Sequence, residues 1–455
     1  MEISEWSRVL EGVDLTPRAR RAFLRLVERH REGADSLIDW DSIHSPQVDR
    51  LVPYENLEPP DEDAGREALA HLAVCKLNGG LGTSMGCPGP KSLIPIRDGL
   101  TFLDFIMGQL QELEQTWAVR VPLILMNSFY TEEQTALVLS NYPDSQPIEC
   151  FTQNRFPRLD KATGRPLKEE EFGQEAWYPP GHGDLYTCLE EQGILDRLRD
   201  EGKKLLFVSN ADNLGATADP AIAHHMLKHD IPFLMEMTPK TSADVKGGTL
   251  YEDSDGRLHL LEVAQVPPKH VDAFCGTEKF RVFNTNNIWI HLDHLKRRLE
   301  RGPMDLNLIV NEKSVDGRAV IQLETAIGAA LEHFEQAVGL VVNRDRFLPV
   351  KKTSDLLVIQ SDLFVQEGAH LRRNPARAQA NLPSVVWQGP LENFEEYSRR
   401  VSQAPSLVDL ESLEAEGNVW FRGVATLKGR VRLISHGKPL AVPGGVVIEN
   451  QTLEN

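Results

Sequence analysis

A chain of 455 residues is too long for one simple core and predicts two or three domains, while 41% hydrophobic and 25% charged residues are ordinary for a globular protein. A formal net charge of −18 excludes nucleic-acid polymers and anionic membranes as the main partner, since both would be repelled. A phosphorylated small molecule stays allowed, because a few lysines and a metal ion reverse the sign within one cleft.

Residues 1 to about 70 read as a helical lead-in: Thr16 caps a helix that Pro17 begins, and Phe23, Leu26 and Val27 share one face at helical spacing. From about Ala73 to Val350, short apolar strands at Leu72 to Leu77, Val121 to Met126, Leu205 to Val208 and Ile231 to Met235 alternate with helical stretches such as Phe102 to Glu114. That alternation predicts an α/β fold with a mostly parallel sheet of Rossmann type and ligands at the carboxyl ends of its strands.

The first of these strands runs into LNGGLGTSMGCPGPKS, Leu77 to Ser92. Glycines without a Cβ let backbone N–H groups converge on phosphate oxygens, and Lys91 offers a positive side chain beside them. Two commoner glycine loops fail on spacing. A P-loop needs Gly directly before the Lys-Ser pair, where Pro90 stands, and a dinucleotide fingerprint needs a third Gly where Met85 stands. Taken alone, the loop is as compatible with a strand-to-helix turn that binds nothing.

Over the last seventy or so residues the pattern changes to short alternating runs, Val419/Phe421, Val431/Leu433 and Leu440/Val442, separated by glycines and Pro443. These predict short strands and tight turns, which composition alone leaves open to plain hairpins. The five cysteines, Cys75, Cys87, Cys150, Cys188 and Cys275, are scattered and include no Cys-x-x-Cys pair, which predicts reduced thiols. The start MEISEWSRV lacks the regions of a signal peptide, and no apolar run approaches membrane-spanning length, so the expected location is cytoplasmic.

KLNGGLGTSMGCPGPKS resembles the signature of the eukaryotic-type UTP--glucose-1-phosphate uridylyltransferase (UDP-glucose pyrophosphorylase) family. Further matches follow in the family's order: MNS at Met126, QNRFPR at Gln153, YPPGHGD at Tyr178, VSNADNLGA at Val208, KGGTL at Lys246, EVAQVP at Glu262, FNTNN at Phe283 and RFLPVKKTSDLL at Arg346. The resemblance implies a Rossmann-like nucleotidyltransferase fold of GT-A-like type, with a mixed sheet and a small C-terminal left-handed β-helix. The expected parts are a helical segment 1–70, a catalytic domain 71–383 and a β-helix domain 384–455. The chain stops at Leu453-Glu454-Asn455, where animal-type members continue, so the resemblance does not fix an oligomeric state.

The implied reaction joins UTP and glucose 1-phosphate into UDP-glucose and pyrophosphate by in-line attack on the α-phosphorus. The attacking phosphate is already ionised, so positioning and charge neutralisation matter more than a general base or nucleophile. By resemblance, Lys91 and Lys351 touch the UTP phosphates, and Leu77, Asn78, Gly79 and Gly80 form the backbone cradle. The family commonly has Thr where Lys352 stands, and the neighbouring amine can share the role of Lys351. Asp212 matches the metal-binding aspartate, expected to hold Mg²⁺. Read locally, Asp212 or Asn213 also suits an Asx turn or helix cap.

Gln153, with Gly181 and Met126, is implied at the uracil, where an amide offers both donor and acceptor. His182 is implied near the sugar phosphate, with Asn210 and Ala211 beside Asp212. Gly247, Gly248, Glu262, Asn286 and Asn287 are implied around the hexose, although each is also a plausible turn or core-polar residue. His225 and His229 stand i,i+4 without an evident third zinc ligand, His291 and His294 warrant the same caution, and Glu169 to Glu171 reads as a solvated loop. Relatives acting on other sugars have Arg and Leu where this chain has Ser84 and Met85. A non-catalytic binding protein of the same fold would be expected to lose Lys91, Asp212 or Lys351, and all three are present.

Overall fold

Eight short strands form the main sheet: β1 (Leu51–Pro53), β2 (Leu72–Leu77), β3 (Leu123–Asn127), β4 (Ile148–Thr152), β5 (Leu205–Asn210), β6 (Phe233–Pro239), β7 (Val282–His291) and β8 (Val338–Val341). β2, β3 and β5 are almost wholly buried, as expected of strands covered on both faces, which read as continuous apolar runs and not as alternations. The order across the sheet is β1, β8, β6, β7, β5, β2, β3, β4. The pairs β1/β8, β6/β8, β2/β3 and β3/β4 are parallel, whereas β7 runs antiparallel to both β6 and β5. The computed structural model describes residues 6, 10, 13, 15–33, 37–82, 85–87, 89–142, 148–241, 244 and 247–455; Ser84 and Lys246 lie outside this set.

The chain divides into two compact units. One comprises Met1–Gly79, Trp117–Ser209 and Ala218–Arg344, and the other Gly80–Thr116, Asn210–Thr217 and Asp345–Asn455. In the first, the sheet and its helices enclose a core that includes Ala73, Cys75, Ile124, Leu206, Met235 and Ile288. The N-terminal helix Pro17–Arg31 starts as its sequence predicts: Pro17 leads, and the Ala19 N–H donates to Thr16 Oγ1 at 3.1 Å. Its Phe23, Leu26 and Val27 pack with Phe156, Tyr178 and Leu323 in a second cluster. Burying each such side chain stabilises the fold by about 1.5–3 kcal/mol.

Three local expectations need correction. The lead-in is not only helical, because Leu51–Pro53 forms an edge strand of the main sheet. Its proline suits an edge, where a missing N–H costs no ladder bond. Glu169 to Glu171 belong to a one-turn helix, Glu169–Phe172, and Glu169 accepts a hydrogen bond from Trp177 Nε1 at 3.0 Å. The helix expected at Phe102 to Glu114 extends over Phe102–Trp117.

In the second unit, Ser384–Gln388, Leu410–Glu416, Thr426–Ile434 and Thr452–Glu454 pair in succession, and every pairing is parallel. So are Val419–Arg422 with Leu440–Pro443 and Thr426–Ile434 with Val447–Glu449. Parallel neighbours exclude the hairpins that composition left open for these pairs. Leu413, Val419, Phe421, Val431, Leu433 and Val442 point inward and are buried. The five cysteines are free, and burial pushes the Cys75 thiol up to about 12. No described helix is long and apolar enough to cross a membrane.

Candidate active site

In the first unit, the carboxyl ends of β2, β3 and β4 are tied together by their own backbone. The Asn78 N–H donates to the Met126 carbonyl at 2.8 Å, and the Gln153 N–H donates to the Asn127 carbonyl at 2.9 Å. Ser128 Oγ donates to the Gly79 carbonyl at 2.8 Å, and Asn78 Nδ2 donates to Asn127 Oδ1 at 2.7 Å and to Thr135 Oγ1 at 3.0 Å. Leu77, Asn78, Gly79, Met126 and Gln153 are therefore held on one strand-end platform. Glycine at 79 leaves room for Gln153: a Cβ there would lie 2.3 Å from Gln153 Nε2 and displace that amide. Gln153 is 9% exposed, and its Oε1 is buried with no hydrogen-bond partner among the described residues, a state that costs free energy unless a ligand supplies a donor.

Gly181 and His182 open a short 3₁₀ turn, His182–Asp184. Gly181 sits at φ +84° and ψ 166°, a region that only glycine adopts readily, and a Cβ there would lie 2.6 Å from the Thr325 carbonyl oxygen. His182 Nδ1 accepts the Ile327 N–H at 2.9 Å, which leaves Nε2 as the protonated nitrogen of the neutral ring. Burial drives its pKa down from 6.5 to about 4, so at neutral pH it is an uncharged donor. Because the unfolded chain binds the proton more readily, stability falls as pH drops through the window from about 6.5 to about 4. His182→Gln should flatten that part of the pH–stability curve in urea unfolding; an unchanged curve would mean that His182 does not titrate there.

The residues implied around the hexose fall into two groups. Gly247 and Gly248 precede and open the hairpin Gly248–Glu252/Leu258–Glu262, whose register sets Gly248 opposite Glu262. A Cβ on Gly248 would lie 2.8 Å from Glu262 Oε1, and one on Gly247 would strike the Phe283 ring at 2.4 Å. Asn286 and Asn287 lie at a β-bulge, since Glu236 pairs with Asn287 but Met237 with Asn284. Asn286 consequently takes φ +60°, tolerable for asparagine.

In the second unit, Lys91 and Asp212 form one ion pair. Lys91 Nζ lies 2.9 Å from Asp212 Oδ2 and donates to the Val350 carbonyl at 3.0 Å, with both side chains largely shielded at 17% and 14% exposure. Lysine has three donors, so one N–H remains, and Asp212 Oδ1 has no partner among the described residues. The Lys91 N–H is directed at the Gly80 carbonyl at 3.3 Å, fixing Gly80 to the same turn. Ala211 is buried, and the Asn210 carbonyl accepts the Asn213 N–H at 3.2 Å. Lys351 and Lys352 are both exposed, and their N–H groups converge on Asp355 Oδ2 at 2.8 and 2.9 Å. Burial raises the Asp355 pKa despite those two donors.

Three structural anchors, Ser128, Asp184 and Glu236, escaped the sequence reading, and the Asx-turn choice it left between Asp212 and Asn213 falls to Asn213. Asn213 Oδ1 accepts from Gly215 N and Leu348 N, and its Nδ2 donates to the Arg346 carbonyl, so the Asx-turn role belongs to Asn213 while Asp212 faces Lys91. Ser128 and Asp184 brace the loops, Asp184 by accepting from Asn154 N and Nδ2. Glu236, fully buried, accepts from Trp289 Nε1 at 2.8 Å and Asn287 Nδ2 at 3.1 Å. A lone glutamate within the apolar run FLMEM was the available signal. Among the described residues, no three His, Cys, Asp or Glu side chains gather as a ready metal site; the His225 and His229 rings lie 4.7 Å apart.

The family model of UTP--glucose-1-phosphate uridylyltransferase matches residues 20–428. The chain is 44% identical to the UTP--glucose-1-phosphate uridylyltransferase of Musa acuminata over 98% of this chain and 97% of that protein. It is also 44% identical to that of Hordeum vulgare, over 97% and 94%. Among solved structures, a mutant UDP-glucose pyrophosphorylase from Leishmania major in complex with UDP-glucose superposes with a TM-score of 0.90 at 32% identity, covering 100% of this chain and 99% of that one. A Trypanosoma brucei UDP-glucose phosphorylase gives 0.89 at 36% identity, over 98% of each chain. With the strand-end platform and the Lys91–Asp212 pair in place, the match extends from motifs to the whole fold, and the chain belongs to the UTP--glucose-1-phosphate uridylyltransferase family.

Proposed function

We propose that the chain transfers a uridylyl group from UTP to glucose 1-phosphate, giving UDP-glucose and pyrophosphate. The observation that carries this reading is the Lys91–Asp212 pair, which keeps one N–H and one carboxylate oxygen available on a chain of net charge −18. The phosphate oxygen of the sugar forms its bond to the α-phosphorus as the bond to pyrophosphate breaks. Lys91 and Lys351 neutralise charge on the phosphates, and the N–H groups around Leu77 to Gly80 cradle them. Gln153 takes the uracil edge, with Oε1 accepting the imide N–H, and Met126 and Gly181 bound the base. His182 donates Nε2–H towards the sugar phosphate, with Asn210 and Ala211 at the same substrate. Gly247, Gly248, Glu262, Asn286 and Asn287 surround the hexose.

Asp212 is the residue that would hold Mg²⁺. A single carboxylate with one uncommitted oxygen suits an ion that takes its remaining ligands from phosphate oxygens and water. When bound, the ion supplies Lewis-acid neutralisation of the phosphates. Lys91 keeps Asp212 ionised and oriented meanwhile. We further read the parallel strands over 384–455, which after the first pairing repeat at offsets of about twenty residues, as a left-handed β-helix following a helical segment 1–70 and a catalytic domain 71–383, in a cytoplasmic protein.

Pyrophosphate release tests the activity: purified protein with Mg²⁺ should release it from UTP and glucose 1-phosphate, and far more slowly with N-acetylglucosamine 1-phosphate, galactose 1-phosphate or other nucleoside triphosphates. No release from folded protein that binds UTP would overturn it. Lys351→Ala should lower kcat about 10²-fold, the loss expected when one preorganised positive donor leaves the transition state, whereas Lys352→Ala should change it little. Equal losses in the two variants would show that the amines share the role.

A further inference from the structure

We infer that the first unit carries a second small-molecule site, a pocket for a phosphate monoester with an apolar body, lined in part by Pro180, Gly183 and Asp184. A cavity of about 270 Å³ opens there, lined along one wall by Arg18, Arg21, Arg25 and Arg29 and elsewhere by Leu26, Phe156, Met304, Thr325 and Gly183. The four arginines stand at successive steps of three, four and four along Pro17–Arg31, which brings them to one helix face. Four guanidinium groups gathered on one concave surface are unusual in a chain of net charge −18.

Their partners make the wall a site and not merely a solvated helix face. Arg18 pairs with Glu190 at 2.5 Å and Arg25 with Asp305 at 2.6 Å, which holds both side chains along the rim. Arg29 donates to the Leu306 carbonyl, so its charge has no carboxylate opposite, and Arg21 has no partner among the described residues. Asp184 is the one further acid in the lining; its two oxygens are engaged by Asn154, and burial raises its pKa. One to two positive charges are therefore uncompensated, and guanidinium forks match a phosphate monoester better than a neutral ligand. Leu26, Phe156 and Met304 provide the apolar floor that the body of such a ligand needs.

The wall facing the helix belongs to the substrate loop. A Cβ on Gly183 would lie 2.4 Å from Thr325 Oγ1, the Thr325 N–H donates to the Pro180 carbonyl at 3.0 Å, and Asp184 fixes Asn154 beside Gln153. A ligand in the cavity would thus contact Pro180 and Gly183, which flank Gly181 and His182.

Phenyl phosphate is a suitable probe, with phenol and inorganic phosphate beside it, titrated calorimetrically into the full chain without substrates. It should bind more tightly than either fragment. Arg21→Ala, which breaks no recorded ion pair, and Ala22→Trp, which fills the cavity without changing charge, should each weaken binding at least tenfold while circular dichroism stays native. Binding unchanged in both variants, or no binding by the wild type, would overturn the proposal. Because the readout is binding and not turnover, it stands or falls separately from the uridylyltransferase reading.

Discussion

Lys91→Ala should lower kcat by about 10²–10³-fold, the loss typical when a preorganised donor to developing negative charge is removed from a shielded site. The geometry makes this lysine harder to replace than an exposed one. Its Nζ is fixed by Asp212 at 2.9 Å and by the Val350 carbonyl at 3.0 Å, so the third N–H direction is set before any ligand arrives. Lys91→Arg restores the charge but not the single-atom junction between a carboxylate and a carbonyl, and should recover only part of the rate. Alanine also leaves Asp212 without its counter-ion, and stability should fall by about 1–3 kcal/mol. Adding Asp212→Asn to Lys91→Ala separates the effects: the double variant should regain stability but not turnover. If the double variant regained turnover, neither side chain would take part in the chemistry and Lys91 would serve only to compensate the Asp212 charge; a near-wild-type rate for Lys91→Ala would remove it from the chemistry.

What the sequence disclosed and concealed follows from the range of the interactions. Periodicity and composition are local, so the N-terminal helix was legible from Thr16, Pro17 and the Phe23/Leu26/Val27 face, and the apolar strands β2, β3 and β5 were each located to within two residues, β6 to within four. The glycine loop was legible as a loop, but the close approach of the Gln153 amide to Gly79, from more than seventy residues away and just past the end of another strand, was not. Leu51–Pro53 was missed because three residues ending in proline carry no strand period; only pairing with Val338–Val341 makes them a strand. Likewise, the C-terminal runs announced strands by alternation, yet nothing local distinguishes a partner in the next turn from one about twenty residues along. The bulge at Asn286 and the buried Glu236 beneath it come from sheet register, which a single strand does not encode.

Gly181→Ala should cost roughly 2–6 kcal/mol of folding stability, summing a backbone conformation that disfavours any side chain with overpacking against a rigid neighbour. Both contributions are explicit here. The residue holds φ +84° and ψ 166°, and the new methyl would meet the Thr325 carbonyl at 2.6 Å and the Thr325 nitrogen at 3.1 Å. Thr325 cannot yield easily, because its N–H is bonded to the Pro180 carbonyl and it ends the strand Arg318–Thr325. The strain would instead move the turn, and with it the His182 Nδ1 contact to the Ile327 N–H that fixes the ring's tautomer. Thermal unfolding should therefore show a large drop in Tm, and protein assayed well below that Tm should have a raised KM for its substrates. Gly193→Ala is a milder control: it too has positive φ, at +70°, but with ψ 8° in the left-handed helical region that other residues reach at lower cost, and no atom lies within 4 Å of the added carbon, so it should lose only about 1–2 kcal/mol. Equal Tm losses in the two variants would show that small shifts relieve both the Thr325 contact and the strain of the Gly181 conformation.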